Sequence, residues 1–345
     1  MDITNFNPNG VGLNNGRFIG LPFSENDAKV VIISVPWDVT VSYTDGTATA
    51  PENILQASLQ LDLFQIEINE VWKLGIFMRP SNPIWFKRNN ELRPKAKKYI
   101  EFLEKGGSFE TQTEYKKLLD EVNLGCEQLN EEVYLEARSI IEKNQIPAIV
   151  GGEHSVPLGL LKALHEHNAE FGVLHIDAHM DLRDAYEGFE YSHASIFNNA
   201  KKMGYVKNLV QVGIRDFCAE EVEFARPRNI TVFYDEIIKQ NIFRGINWHE
   251  QCLQIIETLP ENVYVSFDID GLKPHLCPNT GTPVPGGLEF ADALYLIKEL
   301  VRSGKKIIGF DLCEVGGVGN EWDGNVGARV LYALCNWAGR SQGFI

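Results

Sequence analysis

Residues 173–184 read V-L-H-I-D-A-H-M-D-L-R-D. The apolar run at 171–176 has the character of a buried strand. It opens directly into Asp177, His179 and Asp181. Side chains two apart on an extended backbone point the same way. The spacing therefore predicts two carboxylates and one imidazole projecting together from the carboxyl end of a strand. Open α/β sheets bind their ligands at that end.

Working outward, the same pattern recurs. Runs at 29–35, 148–150, 209–212, 230–233, 263–267 and 306–310 are apolar, with a weaker strand candidate at 71–77. Near-continuous apolar runs mark parallel strands buried on both faces. Helical spacing appears at 51–64, where Pro51 suits a first turn, and at 113–144, 289–302 and 325–337. Ser155 reads as the cap of a helix reaching His167. About eight strands alternating with helices predict an α/β protein whose central, mostly parallel sheet is covered on both faces. No repeat, low-complexity tract or linker interrupts the chain, so 1–345 reads as a single domain. Residues 78–107 fit least well. Pro80, Pro83 and Pro94 are expected to break any long element there, with Trp85 and Phe86 as packing anchors, and the segment reads as an insertion.

The chain has 345 residues, with 32 basic against 47 acidic side chains and a net charge of −15. Such a balance argues against nucleic acid as a partner. The most basic stretch, 87–98, contains Glu91 and reads as a solvated helix face. No apolar run approaches the ~20 residues of a membrane helix. Residues 1–17 are polar and lack the basic start and apolar core of a signal peptide, so a cytoplasmic location is expected. The six cysteines are scattered with no C-x-x-C pair, which points to reduced thiols.

Two further strand ends complete the cluster. His154 follows a strand in G-G-E-H-S, and Asp268 and Asp270 sit two apart in S-F-D-I-D. Four clustered carboxylates repel, and burying them unpaired is prohibitive. Two divalent cations balance their charge. Carboxylate oxygens with one imidazole per ion suit Mn²⁺, with Ni²⁺, Co²⁺ and Zn²⁺ also compatible. A metal pair can share a water and lower its pKa toward neutrality.

The motifs G-G-E-H-S, D-A-H-M-D and S-F-D-I-D-G-L-K-P resemble the three signatures of the ureohydrolases: arginases, agmatinases, guanidinobutyrases, formimidoylglutamases and their relatives. The resemblance runs in order from about residue 150 to the end of the chain. It implies a three-layer α/β/α arginase-like fold, a dinuclear manganese site and a trimer or hexamer. Carried over, it implies that His154, Asp177, Asp181 and Asp268 hold one ion. His179, Asp177, Asp268 and Asp270 hold the other. His193, in Y-S-H-A-S, matches the proton-shuttling histidine, and its ordinary pKa near neutrality suits that task. Glu314, in G-F-D-L-C-E-V, matches the carboxylate that anchors a guanidinium, and a carboxylate can pair bidentately with a planar amidinium.

The loop 182–195, L-R-D-A-Y-E-G-F-E-Y-S-H-A-S, resembles the agmatinase branch and lacks the Asn and Ser pattern by which arginases hold an amino-acid head group. The expected reaction is hydrolysis of a small guanidino compound to urea, with agmatine leading. Glu153, Lys273 and Gly316-Gly317 depart from the usual motifs and are expected to border the pocket. They leave guanidine, guanidinobutyrate, formimidoylglutamate and arginine as alternatives. Arg183 either binds a substrate carboxylate or pairs with Asp184 or Glu187. A zinc deacetylase-like amide hydrolase would use a tandem His-His pair, which the sequence lacks. A non-catalytic metal-binding protein is the remaining class, and the complete ligand set with His193 and Glu314 argues against it. The glycines at 316–319 form no dinucleotide-binding fingerprint.

Overall fold

A computed structural model describes residues 6–108, 113–167 and 170–345. Eight strands form one sheet: β1 (Val30–Val35), β2 (Ile76–Met78), β3 (Ile146–Gly151), β4 (Gly172–Ile176), β5 (Asn208–Ile214), β6 (Ile230–Tyr234), β7 (Asn262–Asp268) and β8 (Lys306–Cys313). Their order is β2-β1-β3-β8-β7-β4-β5-β6, and every pairing is parallel.

Ten helices flank the sheet among the described residues: α1 (Ala50–Ser58), α2 (Pro83–Glu104), α3 (Thr113–Ile141), α4 (Leu158–His167), α5 (Ile196–Lys202), α6 (Ala219–Ala225), α7 (Asp235–Phe243), α8 (Trp248–Glu257), α9 (Phe290–Arg302) and α10 (Glu321–Ser341). Alternation along the strands sends side chains to two separate cores. Val30, Ile32, Leu174, Ile176 and Val265 pack with Ile54, Ile255, Leu296 and Leu331 of α1, α8, α9 and α10. Val31, Ile33, Val173, Leu209 and Tyr264 pack with Tyr99, Val133, Leu160 and Phe197 of α2, α3, α4 and α5. The expected three-layer α/β/α arrangement is therefore what forms.

Four expectations need correction. Residues 78–107 are not broken by their prolines. Pro83 sits in the first turn of α2, and the helix continues through Pro94. An internal proline costs about 3 kcal/mol, but Leu92 before it and Ala96, Tyr99 and Ile100 after it are all buried on one face. Packing on both sides of the proline outweighs the lost hydrogen bond. Of the two anchors, Trp85 is buried, with its indole N–H donating to Glu132, whereas Phe86 is 39% exposed. The edge strand spans 76–78 rather than 71–77. Residues Val71–Leu74 form a 3₁₀ turn that ends at Gly75, at φ 73°. Helix α1 stops at Ser58, short of residue 64.

The edge strand is fastened by charge. Arg79, just past β2, pairs bidentately with Glu25 at 2.8 and 3.1 Å and also reaches Glu136 of α3. Arg79 and then Lys143 hold the Glu25 carboxyl at about 2 against an ordinary 4.5. A lowered pKa gives stability that is present above pH 4.5 and is lost as pH falls from there toward 2. Glu25→Gln is expected to lower unfolding free energy by about 2 kcal/mol at neutral pH. In denaturant melts, the gap from the parent should close across that acidic window.

Candidate metal centre and pocket

The switch in strand order assembles the site. The chain lays β3 and β4 with two strand positions between them, then fills the gap with β7 and β8. The four adjacent central strands thus end side by side. Register places Ile176 beside Phe267 and Asp268 beside Cys313. Asp177, Asp268 and Glu314 therefore leave neighbouring strands at one level, with His154 arriving from β3. Ligand crevices form at such switch points.

All six residues expected to hold metal meet here. His154 Nδ1 lies 3.1 Å from Asp177 Oδ2, 3.1 Å from Asp181 Oδ2 and 3.3 Å from Asp268 Oδ2. His179 Nδ1 lies 3.1 Å from Asp270 Oδ2 and 3.4 Å from Asp177 Oδ1. The spacing at 177, 179 and 181 reflects more than continued extension. Asp181 takes a left-handed φ of 54°, and so does Glu314 at 61°. Non-glycine residues in that region are strained by about 1–3 kcal/mol each, and such strain gathers at functional sites.

Hydrogen-bond direction decides what the cluster is built for. Asp311 receives the hydroxyls of Ser266 at 2.7 Å and Tyr264 at 2.6 Å. With its one hydrogen given to Asp311, Ser266 can only accept from His154 Nε2, 2.8 Å away. His154 therefore carries a proton on Nε2 and turns Nδ1 toward three carboxylates, which favour a second proton there when no metal ion holds the site. Lone pairs facing lone pairs need a cation between them. Contacts of about 3 Å suit ligand atoms each about 2.1 Å from a common ion. Asp181 Oδ2, Asp270 Oδ2 and Glu314 Oε2 are buried and accept no hydrogen bond. This donor set fits two divalent ions.

Acidities follow the same logic. Burial, then the charge of Asp177, raises Asp181 to about 6. Burial and the carboxylates of Asp270 and Asp177 push Asp268 well up. Burial also acts against Asp177, but the His175, His154 and His179 rings outweigh it and hold it low. Burial and Glu153 lift Glu314. Burial, then the His179 ring, pushes His193 down to about 3. These opposed shifts are what crowded carboxylates show without their counter-charge.

Three supporting residues were missed in the sequence. His175 Nδ1 accepts from Gln211 at 2.9 Å, so its Nε2–H donates to Asp177 Oδ2 at 2.7 Å. Asp311 and Ser266 orient His154 in the same manner, as partners behind metal ligands do. Position parity was the available signal: His175 stands two before Asp177, and Ser266 two before Asp268.

A pocket of about 140 Å³ opens over the cluster, with His193, Glu314, Arg183, Tyr186, Asp216 and Thr282 in its wall. Both residues expected to act on substrate therefore face it. Arg183 pairs with neither Asp184 nor Glu187. It stacks over Tyr186 at 4.7 Å, with Nε 3.9 Å from Glu221, while Asp184 pairs with Lys202. Ser155 is no helix cap, since α4 begins three residues on at Leu158 and the only hydrogen bond of the Ser155 hydroxyl seen among the described residues is the one it donates to Glu153. Lys273 pairs with Glu289 away from the pocket, and Gly316 and Gly317 pack against Asp323 and Gly46. Of the departures noted at the motif borders, Glu153 alone adjoins the candidate site, through Thr40, which contacts His193.

The model of the Arginase family matches residues 28–333. An N(1)-aminopropylagmatine ureohydrolase of Thermus thermophilus is 30% identical over 331 residues, covering 94% of this chain and 97% of the relative. The agmatinase of Pyrococcus horikoshii is 29% identical, covering 89% and 92%. Among solved structures, the agmatine ureohydrolase of Thermoplasma volcanium superposes with a TM-score of 0.71 at 21% identity, covering 96% and 97%. The proclavaminate amidino hydrolase of Streptomyces clavuligerus gives 0.74 at 22%, covering 96% and 99%.

Bound ions should stabilise the fold by mass action, by about 3 kcal/mol at a hundredfold excess over Kd. Chelation should lower Tm, and a divalent ion should restore it. Elemental analysis should find two ions per chain. Asp268→Asn should lose the ions and the metal-dependent Tm shift together, and full retention would show that Asp268 is no ligand.

Proposed function

The chain belongs to the arginase family, a family of hydrolases acting on amidino C–N bonds, and from that premise we propose that it releases urea from a linear guanidine with an amine tail, agmatine or N(1)-aminopropylagmatine. The observation that carries this reading is the buried, unbonded Glu314 Oε2 facing the same pocket as His193 and the six candidate ligands. We assign His154, Asp177, His179, Asp181, Asp268 and Asp270 to two Mn²⁺ ions, with Ni²⁺ the alternative. The pair would supply positive charge and lower the pKa of water toward neutrality.

The chain's own groups supply recognition and proton transfer. Glu314 Oε1 accepts the His154 backbone N–H at 3.0 Å, which fixes the carboxylate and leaves Oε2 for the guanidinium. Gly281 keeps the space in front of it, because a Cβ there would lie 2.8 Å from Oε2. Held in this way, the substrate presents its amidine carbon beside the cluster and its leaving nitrogen toward His193. His193 receives a proton on the ring and passes it to the departing amine, so the products are urea and the free amine. The exposed carboxylate of Asp216 at the pocket wall suits a cationic tail. The names of the similar Thermus and Pyrococcus enzymes support the same substrate class.

One observation favours a second reading. Arg183 lines the pocket, and its two terminal nitrogens donate to no acceptor we observe among the described residues, which would suit the carboxylate of guanidinobutyrate. No helix among the described residues is long and apolar enough to cross a membrane. A cytoplasmic homo-oligomer, trimer or hexamer, is part of the proposal on the strength of the motif resemblance.

A urea-release screen on Mn²⁺- and Ni²⁺-loaded protein should rank agmatine and aminopropylagmatine above guanidinobutyrate, guanidine, arginine and formimidoylglutamate. No turnover of any amidine would refute the reading. His193→Ala should lower kcat by about 10²- to 10⁴-fold. Glu314→Gln should lower kcat/KM by about 100-fold with both ions retained. Arg183→Ala should raise KM for guanidinobutyrate alone if the second reading holds.

A further inference from the structure

His193 is braced by two residues outside the metal cluster. Its backbone N–H donates to Thr40 Oγ1 at 3.1 Å, and its ring Nδ1 lies 3.5 Å from the same oxygen. Thr40 in turn is held by Glu153, which is fully buried. The Thr40 backbone N–H donates to Glu153 Oε2 at 2.7 Å, and its hydroxyl to Oε1 at 2.9 Å. Ser155 supplies a third donor, to Oε1. Burial raises the Glu153 carboxyl to about 7 while the three donors favour its ionised form, and that ionised form is the acceptor end of a chain that runs through Thr40 to the histidine.

We propose that Thr40 and Glu153 are positioning residues that lock His193 in the Nδ1–H tautomer and aim its bare Nε2 into the pocket. The argument is a count of hydrogens. A threonine hydroxyl has one. The contact to Glu153 is shorter by 0.6 Å than the contact to Nδ1 (2.9 against 3.5 Å), so that hydrogen belongs to Glu153. Toward His193, Thr40 offers lone pairs alone. Ser192 Oγ, also 3.5 Å from Nδ1, accepts from the Ala194 N–H and can either accept again or donate its own hydrogen, so it suits both tautomers and Thr40 makes the choice. Only an Nδ1–H keeps the Thr40 lone pairs from facing a ring lone pair. Nε2, across the ring, bonds no protein group among the described residues.

The consequence for the reaction rests on the reading of His193 as the proton shuttle. A histidine that starts bare at Nε2 takes the proton released when water adds to the amidine carbon. The same Nε2–H then protonates the departing nitrogen, while Nδ1–H stays on Thr40. No ring flip or tautomer exchange intervenes between the two transfers. The departure at 153 from the family's usual aspartate therefore coincides with the group that orients the shuttle.

Nitrogen-15 NMR of histidine-labelled protein loaded with diamagnetic Zn²⁺ tests the tautomer without any substrate. The His193 signals are those that vanish in His193→Gln. The parent and Thr40→Ser should show Nδ1–H, and Thr40→Val a mixture. Glu153→Gln should reverse the chain: its amide oxygen takes the Thr40 N–H, its NH₂ donates to the hydroxyl, and the hydroxyl then donates to Nδ1, giving Nε2–H. An Nε2–H parent, or an unchanged tautomer in Glu153→Gln, overturns the proposal. Kinetics give a second test. Thr40→Val should lower kcat on agmatine by about 10- to 100-fold with KM and metal content unchanged, and Thr40→Ser should recover it. On 3-nitrophenylguanidine, whose leaving arylamine needs little protonation, the loss should be under about threefold. Equal loss on both substrates would mean that Thr40 is a structural tie only. A parent that hydrolyses no guanidine refutes the functional reading, and the NMR result still decides the tautomer.

Discussion

Four aspartates and a glutamate share one buried crevice, and this concentration of negative charge is the constraint on which the rest depends. Carboxylates cannot be buried without compensation. The backbone supplies part of it. Asp177, Asp268, Asp270 and Glu314 each accept a main-chain N–H, from His179, Asp270, Ala178 and His154. The surrounding imidazoles and their oriented partners supply more. The remainder is left open at Asp181 Oδ2, Asp270 Oδ2 and Glu314 Oε2. Two of these unbonded oxygens lie among the candidate metal ligands and one lies in the pocket. The deficit is thus divided between the positions where a metal pair and a cationic substrate would each complete it.

The sheet makes that concentration possible. Parallel strands all end at one edge, and the order β3-β8-β7-β4 brings four exits together. Two close approaches keep this edge compact. Gly152 passes so near Trp37 O that a Cβ would lie 2.1 Å away, and Gly271 lies against the backbone of Asp177. Left-handed backbone at Asp181 and Glu314 turns two carboxylates back over the strand ends. The two cores on either face hold the strands that enforce these turns, so distant apolar packing offsets local strain.

The segment 78–107 shows where reading from sequence meets its limit. Three prolines argued for irregular chain, yet α2 runs through it because its buried face spans Pro94. That helix then holds the loop that carries Thr40. Asn89 exchanges hydrogen bonds with Asp38, and Arg93 donates to the carbonyls of Val39 and Val41. Local propensity cannot report a packing energy that comes from another element. Ser155 misleads for a related reason. Its position suits a cap, but the helix begins three residues later, at Leu158, and the hydroxyl serves the buried Glu153.

Much of this protein was legible in residue order alone. Apolar runs of strand length told of a parallel sheet, because strands buried on both faces have no polar side to alternate. Residues spaced two apart marked out the candidate ligand pairs, although past the strand ends the backbone is not extended, with Asp270 in a 3₁₀ turn and Asp181 at a left-handed φ. Tertiary structure decided the remainder. Strand order alone placed His154 among Asp177, Asp181 and Asp268, residues 23 to 114 positions away in the chain. Tertiary contacts alone set the proton positions on His154, His175 and His193, through Asp311, Gln211 and Thr40. A tautomer is selected by the direction of a hydrogen bond. Direction exists only once a donor and an acceptor from distant segments have been brought within 3 Å or so of each other.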